Sequence, residues 1–237
     1  MWTAKRQDNW QHECVTDDSL LKRKPPIESA AAAGIIYSAL SVAAIVVFGQ
    51  FGPTLPDQVF AWLGDKGNRE SAILGLNLVT ISSVAFLWFV AVIRRRIGDR
   101  EDRFFATVFL GSAIAWVVIW MAGAVSLAAV PLAQDFGSSW TPSPDSIRVT
   151  TGLAAGWMLV AGPRIQAVFI LSTSTIFVRT KALPKWLAYV GYAMSLVLFF
   201  MPLIWQPIAL AFPIWVLIVS VTILFAKRSD NRGDGVI

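Results

Sequence analysis

Arg164 is the one charged residue that the sequence places inside an apolar run, within Ala161-Gly162-Pro163-Arg164-Ile165-Gln166. An arginine at the centre of a membrane helix costs about 2.5–3.5 kcal/mol on insertion. The ten Leu, Ile, Val and Phe residues between Leu159 and Val178 offset this by roughly 3–6 kcal/mol. Pro163 removes a backbone donor, and Gly162 loosens the turn before it. Helical spacing sets Arg164, Val168, Ser172 and Thr175 along one face, as a polar seam. With no buried acid at hand, the guanidinium must pair with carbonyls freed by Pro163, with Asn77 or Gln166, with water, or with an anion. The chemistry this points to is an anion or lipid-headgroup site at a broken helix, with Arg164 as its charge and Gln166, Ser172 and Asn77 as further candidates. The alternative is a hydrocarbon span that starts near Leu159, leaving Arg164 about 7 Å below the outer surface and snorkelling upward. Both readings stand open at this point.

Other chemistry is excluded more firmly. No Asp or Glu lies inside any of the long apolar runs, and Glu28 and Glu70 sit only at their entrances. Proton relays and cation-coupled carriers depend on buried carboxylates, and an intramembrane aspartyl protease needs two. The single histidine, His12, rules out a zinc helix of the His-Glu-x-x-His type. It also leaves a membrane serine with no base except one in the N-terminal tail. There is no phosphate-binding glycine loop and no dinucleotide fingerprint. His12-Glu13-Cys14 puts no two ligands on one helical face and reads as solvated tail. The sequence therefore predicts no enzyme, no metal site and no cofactor. With one cysteine, Cys14, an intramolecular disulfide is impossible.

The elements that must position Arg164 follow from composition. Of the 237 residues 56% are hydrophobic and only 15% charged, and mean hydropathy is +0.61. A soluble domain carries about a quarter charged residues. The fold expected is all-α, a polytopic bundle of six transmembrane helices. A polar cytoplasmic tail, 1–29, precedes the membrane domain, 30–226, and a second tail, 227–237, follows it. The first run starts too late, and is too long, for a cleaved leader. Spans are expected at about 30–50, 71–93, 104–130, 152–178, 186–204 and 207–226. Ala30, Gly34 and Ser38 recur at every fourth position of the first span and invite a close helix neighbour. Asp57 to Leu63 is a candidate interfacial helix, and Pro131 to Thr151 is expected as a loop broken by Gly137, Pro142 and Pro144. Pro202, Pro207 and Pro213 split the final apolar stretch, which as one helix would measure about 60 Å, twice the hydrocarbon thickness.

Charge orients the bundle. With the N-terminus inside, the cytoplasmic segments hold sixteen cations, and only Lys66, Arg69 and Arg148 lie outside. The positive-inside rule selects this arrangement and puts both termini in the cytoplasm. Topology thus accounts for the net charge of +5, and nucleic-acid binding is not expected. Trp62 and Trp205 fall near the outer interface and Trp88 and Trp186 near the inner one. Trp116, Trp120 and Trp215 lie deeper, as packing or lipid-facing residues. Asp99, Glu101 and Asp102 are expected to pair with Arg100 and Arg103. That basic turn, like Lys22-Arg23-Lys24, is a candidate contact for anionic lipid headgroups.

Three stretches carry a family likeness: 100–111 (REDRFFATVFLG), 183–187 (LPKWL) and 212–216 (FPIWV). Together they resemble a family of uncharacterised six-span membrane proteins of actinobacteria, similar in turn to a broader bacterial membrane family of unknown function. The resemblance implies six spans and a multi-pass place in a bacterial plasma membrane, and it transfers no active site. Two roles remain in view: a non-catalytic accessory, scaffold or lipid-interacting component, with a protein partner or a second copy of itself, or a carrier or pore for a small anionic or lipidic solute centred on Arg164. The Gly-Pro-Arg break has no counterpart in the first span, which weakens an inverted repeat of the kind carriers use.

Overall fold

The computed structural model describes residues 27–49, 63–97, 103–137, 141–180, 184–200 and 208–233. Among these every element is helical and no strand occurs. The helices are α1 (Ile27–Gly49), α2 (Lys66–Ile97), α3 (Arg103–Phe136), α4 (Pro144–Ala155), α5 (Gly162–Thr180), α6 (Lys185–Phe200) and α7 (Ile208–Gly233), with a π-helical turn, Gly156–Ala161, joining α4 to α5. Four helical stretches are long and apolar enough to cross a membrane: Ser29–Phe48, Lys66–Arg94, Phe104–Phe136 and Pro144–Thr180. Lys185–Phe200 and Ala209–Phe225 are shorter apolar helices. His12, Glu13, Cys14, Lys22 to Lys24, Asp57 to Trp62, Asp99 to Asp102, Pro202 and Trp205 to Pro207 lie outside the described residues.

Several helices run past the expected spans. α2 begins at Lys66, where the Asp65 carboxylate accepts the amide of Gly67 at 2.8 Å and so caps one of the orphan donors of the first turn. α3 continues through Pro131 to Phe136, and α4 starts at Pro144. The loop expected over 131–151 thus contracts to the few residues around Gly137 and Pro142. Pro144 is a starter rather than a breaker: it sits in the first turn, where no N–H is needed, behind a capping box between Ser143 and Ser146.

α1, α2, α3 and the continuous α4–α5 stretch run antiparallel to one another in turn. Phe48 of α1 lies against Gly75 of α2, while Tyr37 meets Phe86 at 4.8 Å. Arg69 at the start of α2 pairs with Asp135 at the end of α3, 3.2 Å away. At the opposite end of the bundle the Arg179 guanidinium lies 4.4 Å over the Phe105 ring, tying α5 back to the start of α3. Tyr192 of α6 donates to Thr175 of α5 at 3.1 Å, and Ser220 of α7 abuts Gly34 of α1.

One residue from each of five helices meets at the centre: Tyr37, Phe86, Trp116, Phe169 and Phe212. Phe86–Phe169 (5.2 Å), Trp116–Phe212 (5.2 Å) and Phe169–Phe212 (5.7 Å) join them. Each such tilted or edge-on pair contributes about 0.5–1.5 kcal/mol beyond the area it buries. The deep tryptophans Trp116, Trp120 and Trp215 are therefore packing residues, all buried, while Trp88 and Trp186 are exposed. The expected small-residue face is also used. A side chain on Gly34 would overlap Ser220 and Phe89, and one on Gly191 would overlap Ser174.

Polarity is arranged inside out. Ser38, Ser82, Ser112, Ser172 and Ser220 are buried, whereas Ile36, Ile81, Val118, Leu171, Val197 and Ile214 are exposed. A water-soluble protein hides large aliphatics, and an outer surface of this kind on every helix of the bundle is what hydrocarbon selects.

A candidate binding cavity at the break in the fourth span

The four residues singled out in the sequence do not converge. Arg164, in the first turn of α5, is exposed, and its guanidinium donates to the Val160 carbonyl one turn back. That is the direction a helical side chain leans, toward its helix N-terminus. Asn77 is exposed on α2 and donates to the carbonyl of Ile73 at 2.9 Å. Ser172 is buried and donates to the carbonyl of Phe169 at 2.9 Å. The expected seam is thus satisfied within its own helix, with Thr175 returning to Leu171 at 2.9 Å. Gln166 follows Arg164 by two positions, about 200° around the helix, and it faces inward, only 4% exposed. No hydrogen bond among the described residues joins any two of the four.

Gln166 opens onto a cavity of about 230 Å³. α1 contributes Tyr37, Ser41, Ile45 and Phe48, and α3 contributes Trp116 and Trp120. Met158 and Leu159 come from the π turn, Pro163 and Gln166 from α5, and Ala209 and Pro213 from α7. The two indoles stack at 5.5 Å, 19° from parallel, and both are fixed by their N–H groups. Trp116 donates to the Tyr37 hydroxyl at 3.2 Å, and Trp120 donates to Ser82 at 3.4 Å.

The cavity exists because helices are interrupted beside it. In the π turn the Gly162 amide bonds back to the Trp157 carbonyl, five residues away. In that register Pro163 has no N–H to offer Met158, and in the ordinary α register none to offer Leu159; both residues line the space. Pro213, inside α7, likewise offers no N–H to Ala209. π turns of this kind recur at functional sites. Gly156 and Gly162 bracket the turn, and they are the signal by which the sequence announces it.

Tyr37 and Ser41, four residues apart on α1 and therefore on one face, went unnoticed in the sequence because each reads as an ordinary span residue. Ser41 Oγ is buried beside the Tyr37 hydroxyl without a bond of ordinary geometry to a described residue, and Gln166 has no hydrogen-bond partner among the described residues. Among the described residues Tyr37 is the only titratable group in the lining, which contains no carboxylate, histidine, cysteine or cation. Among the described residues no group of three His, Cys, Asp or Glu could hold a metal ion. The arrangement can bind by shape and by neutral hydrogen bonds, and it offers no acid, base or nucleophile of ordinary strength.

Comparison with known proteins returns no match: no family model fits the chain, and neither a curated protein nor a solved structure is detectably similar to it.

Proposed function

We propose that this chain is a six-span protein of a bacterial plasma membrane, with both termini in the cytoplasm, acting as a non-catalytic, lipid-interacting accessory or scaffold component. The observation that carries this reading is the neutral interior. Arg164, just after the π turn, is turned outward and bonded to its own helix, while the centre is filled by aromatic rings from five helices. The apolar character of α6 and α7 supports counting them as the fifth and sixth spans. The sixteen-to-three distribution of cations supports the orientation, and the bacterial plasma membrane rests on the resemblance of 100–111, 183–187 and 212–216 to the actinobacterial proteins. The basic cytoplasmic turns suit anionic headgroups.

The carrier reading asks for water and an anion at Arg164. Its test is flux in proteoliposomes made with the wild-type chain and with Arg164→Gln. The accessory reading expects the two to be alike and no faster than empty vesicles. An anion flux that Arg164→Gln abolishes, with the variant still folded, would establish a carrier instead. Reporters placed after Ile237 and between Arg94 and Arg103 should both read as cytoplasmic; either one outside the cell contradicts the topology.

A further inference from the structure

We infer that the cavity beside the π turn is a binding site for a small uncharged amphiphile: an apolar ring or chain end bearing one hydroxyl, carbonyl or amide head. This goes beyond an accessory role and holds whichever end of the bundle faces the cytoplasm.

The polar side argues for a ligand. Gln166 is a buried amide, offering two donors and an acceptor, and none is met by a described residue. A buried amide without a partner is costly, and more so in hydrocarbon than near water. Ser41 Oγ lies beside the Tyr37 hydroxyl and makes no bond of ordinary geometry to a described residue, so the two hydroxyls form one polar edge of the space. The Tyr37 oxygen already accepts from Trp116, so its proton is left to give. Ser174 Oγ and Trp215 Nε1 also lack partners, but neither lines this cavity, and Ser174 is packed tight against Gly191.

The apolar side fixes the body of the ligand. The stacked faces of Trp116 and Trp120 present a flat wall that suits a ring or an unsaturated chain. The volume of about 230 Å³ lies between the roughly 150 Å³ that accepts benzene and the roughly 300–1,000 Å³ of pockets for drug-sized ligands. Charge is disfavoured in both directions: among the described residues no cation lines the space to receive a carboxylate or phosphate, and no acid lines it to receive an amine. Arg164, the residue with the right charge for an anion, faces away.

The test uses the full chain in nanodiscs of phosphatidylcholine and phosphatidylglycerol. The probes are a diazirine-bearing benzyl alcohol and the matching benzoate. The alcohol is expected to crosslink to peptides containing Trp116, Trp120 or Met158, and the benzoate at least about tenfold less. Gln166→Leu, which keeps the volume and removes the amide, should lower labelling by the alcohol about tenfold, the size of one hydrogen bond in a dry site. Ala209→Phe, which fills the space, should abolish it. Equal labelling by the benzoate, or undiminished labelling in both variants, overturns the proposal. A neutral lipid that co-purifies in a 1:1 ratio and is lost from Ala209→Phe would identify the bilayer as the source. Specific labelling by added alcohol without such a lipid would identify a free solute; either result supports the site. Neither readout depends on topology or transport, so failure here is separable from failure of the accessory role.

Discussion

At the level of Phe109, Phe169 and Trp215 the helices close on one another, and about two turns along α3, between Trp116, Met158 and Pro213, they part around a cavity. Both regions are lined by aromatic rings and small hydroxyls. They differ in helix continuity. Where α1, α5, α6 and α7 run unbroken, glycine and serine let backbones approach, as at Gly34–Ser220 and Gly191–Ser174, and rings fill what remains. Where Pro163, Pro213 and the π turn interrupt two of the helices, neighbouring turns cannot mesh as closely and space is left. In a bilayer the hydrophobic effect does not press helices together, so packing holds the first region, and a break weakens it locally without unfolding the rest.

The comparison can be broken most forcefully in the closed region. Phe169→Ala removes the ring shared by Phe86, Phe109, Phe212 and Trp215 and is expected to cost about 3–5 kcal/mol, measured as reversible unfolding in mixed micelles. Gly34→Ala comes next, at about 1–3 kcal/mol from overpacking. Because the added methyl meets the Ser220 hydroxyl, Ser220→Gly in the same chain should recover much of that loss. An additive double variant would mean that α1 and α7 do not meet there. In the open region the sign reverses. Gln166→Leu should raise stability by about 1 kcal/mol, since an unpartnered buried amide is exchanged for an apolar group of similar size. A loss of that size would mean that Gln166 has a partner within the protein. At the end of the bundle Arg69→Ala should cost about 1 kcal/mol, from its partly solvated pair with Asp135 together with the bond it donates to the Leu63 carbonyl at 2.7 Å. Smallest of all, Arg164→Gln is expected to leave unfolding unchanged within about 0.5 kcal/mol, consistent with an exposed side chain bonded to the turn before it.

Much of the architecture was legible in residue types. The apolar runs, the cations at their ends and the Ala30-Gly34-Ser38 repeat each have a direct physical cause, and the helices and the Gly34 contact follow from them. Helix ends were harder, because Pro144 reads as a breaker and Pro131 as the start of a loop, while a proline in a first turn starts a helix and one late in a long helix is tolerated by its neighbours. The candidate site was half legible. Gln166 stood out as polar, and Pro163 marked the break. Drawing Arg164 and Gln166 into one site overlooked their placement on opposite sides of α5, and attention to the charge concealed the neutral pair Tyr37 and Ser41. Which tryptophans pack and which face lipid depends on partners from other helices, and that lies beyond any local pattern.

The claim beneath all of this is that hydrocarbon, not water, surrounds the exposed aliphatic residues. It is tested by nitroxide labels placed singly at Ile36, Ile81, Val118, Leu171, Val197 and Ile214 in a Cys14→Ser chain reconstituted in liposomes, with a control label at exposed Arg148. The account expects strong relaxation by oxygen and weak relaxation by a water-soluble nickel chelate at all six, with the reverse at position 148. Nickel relaxation at any of the six as strong as at position 148 would place that helix in water and contradict the account.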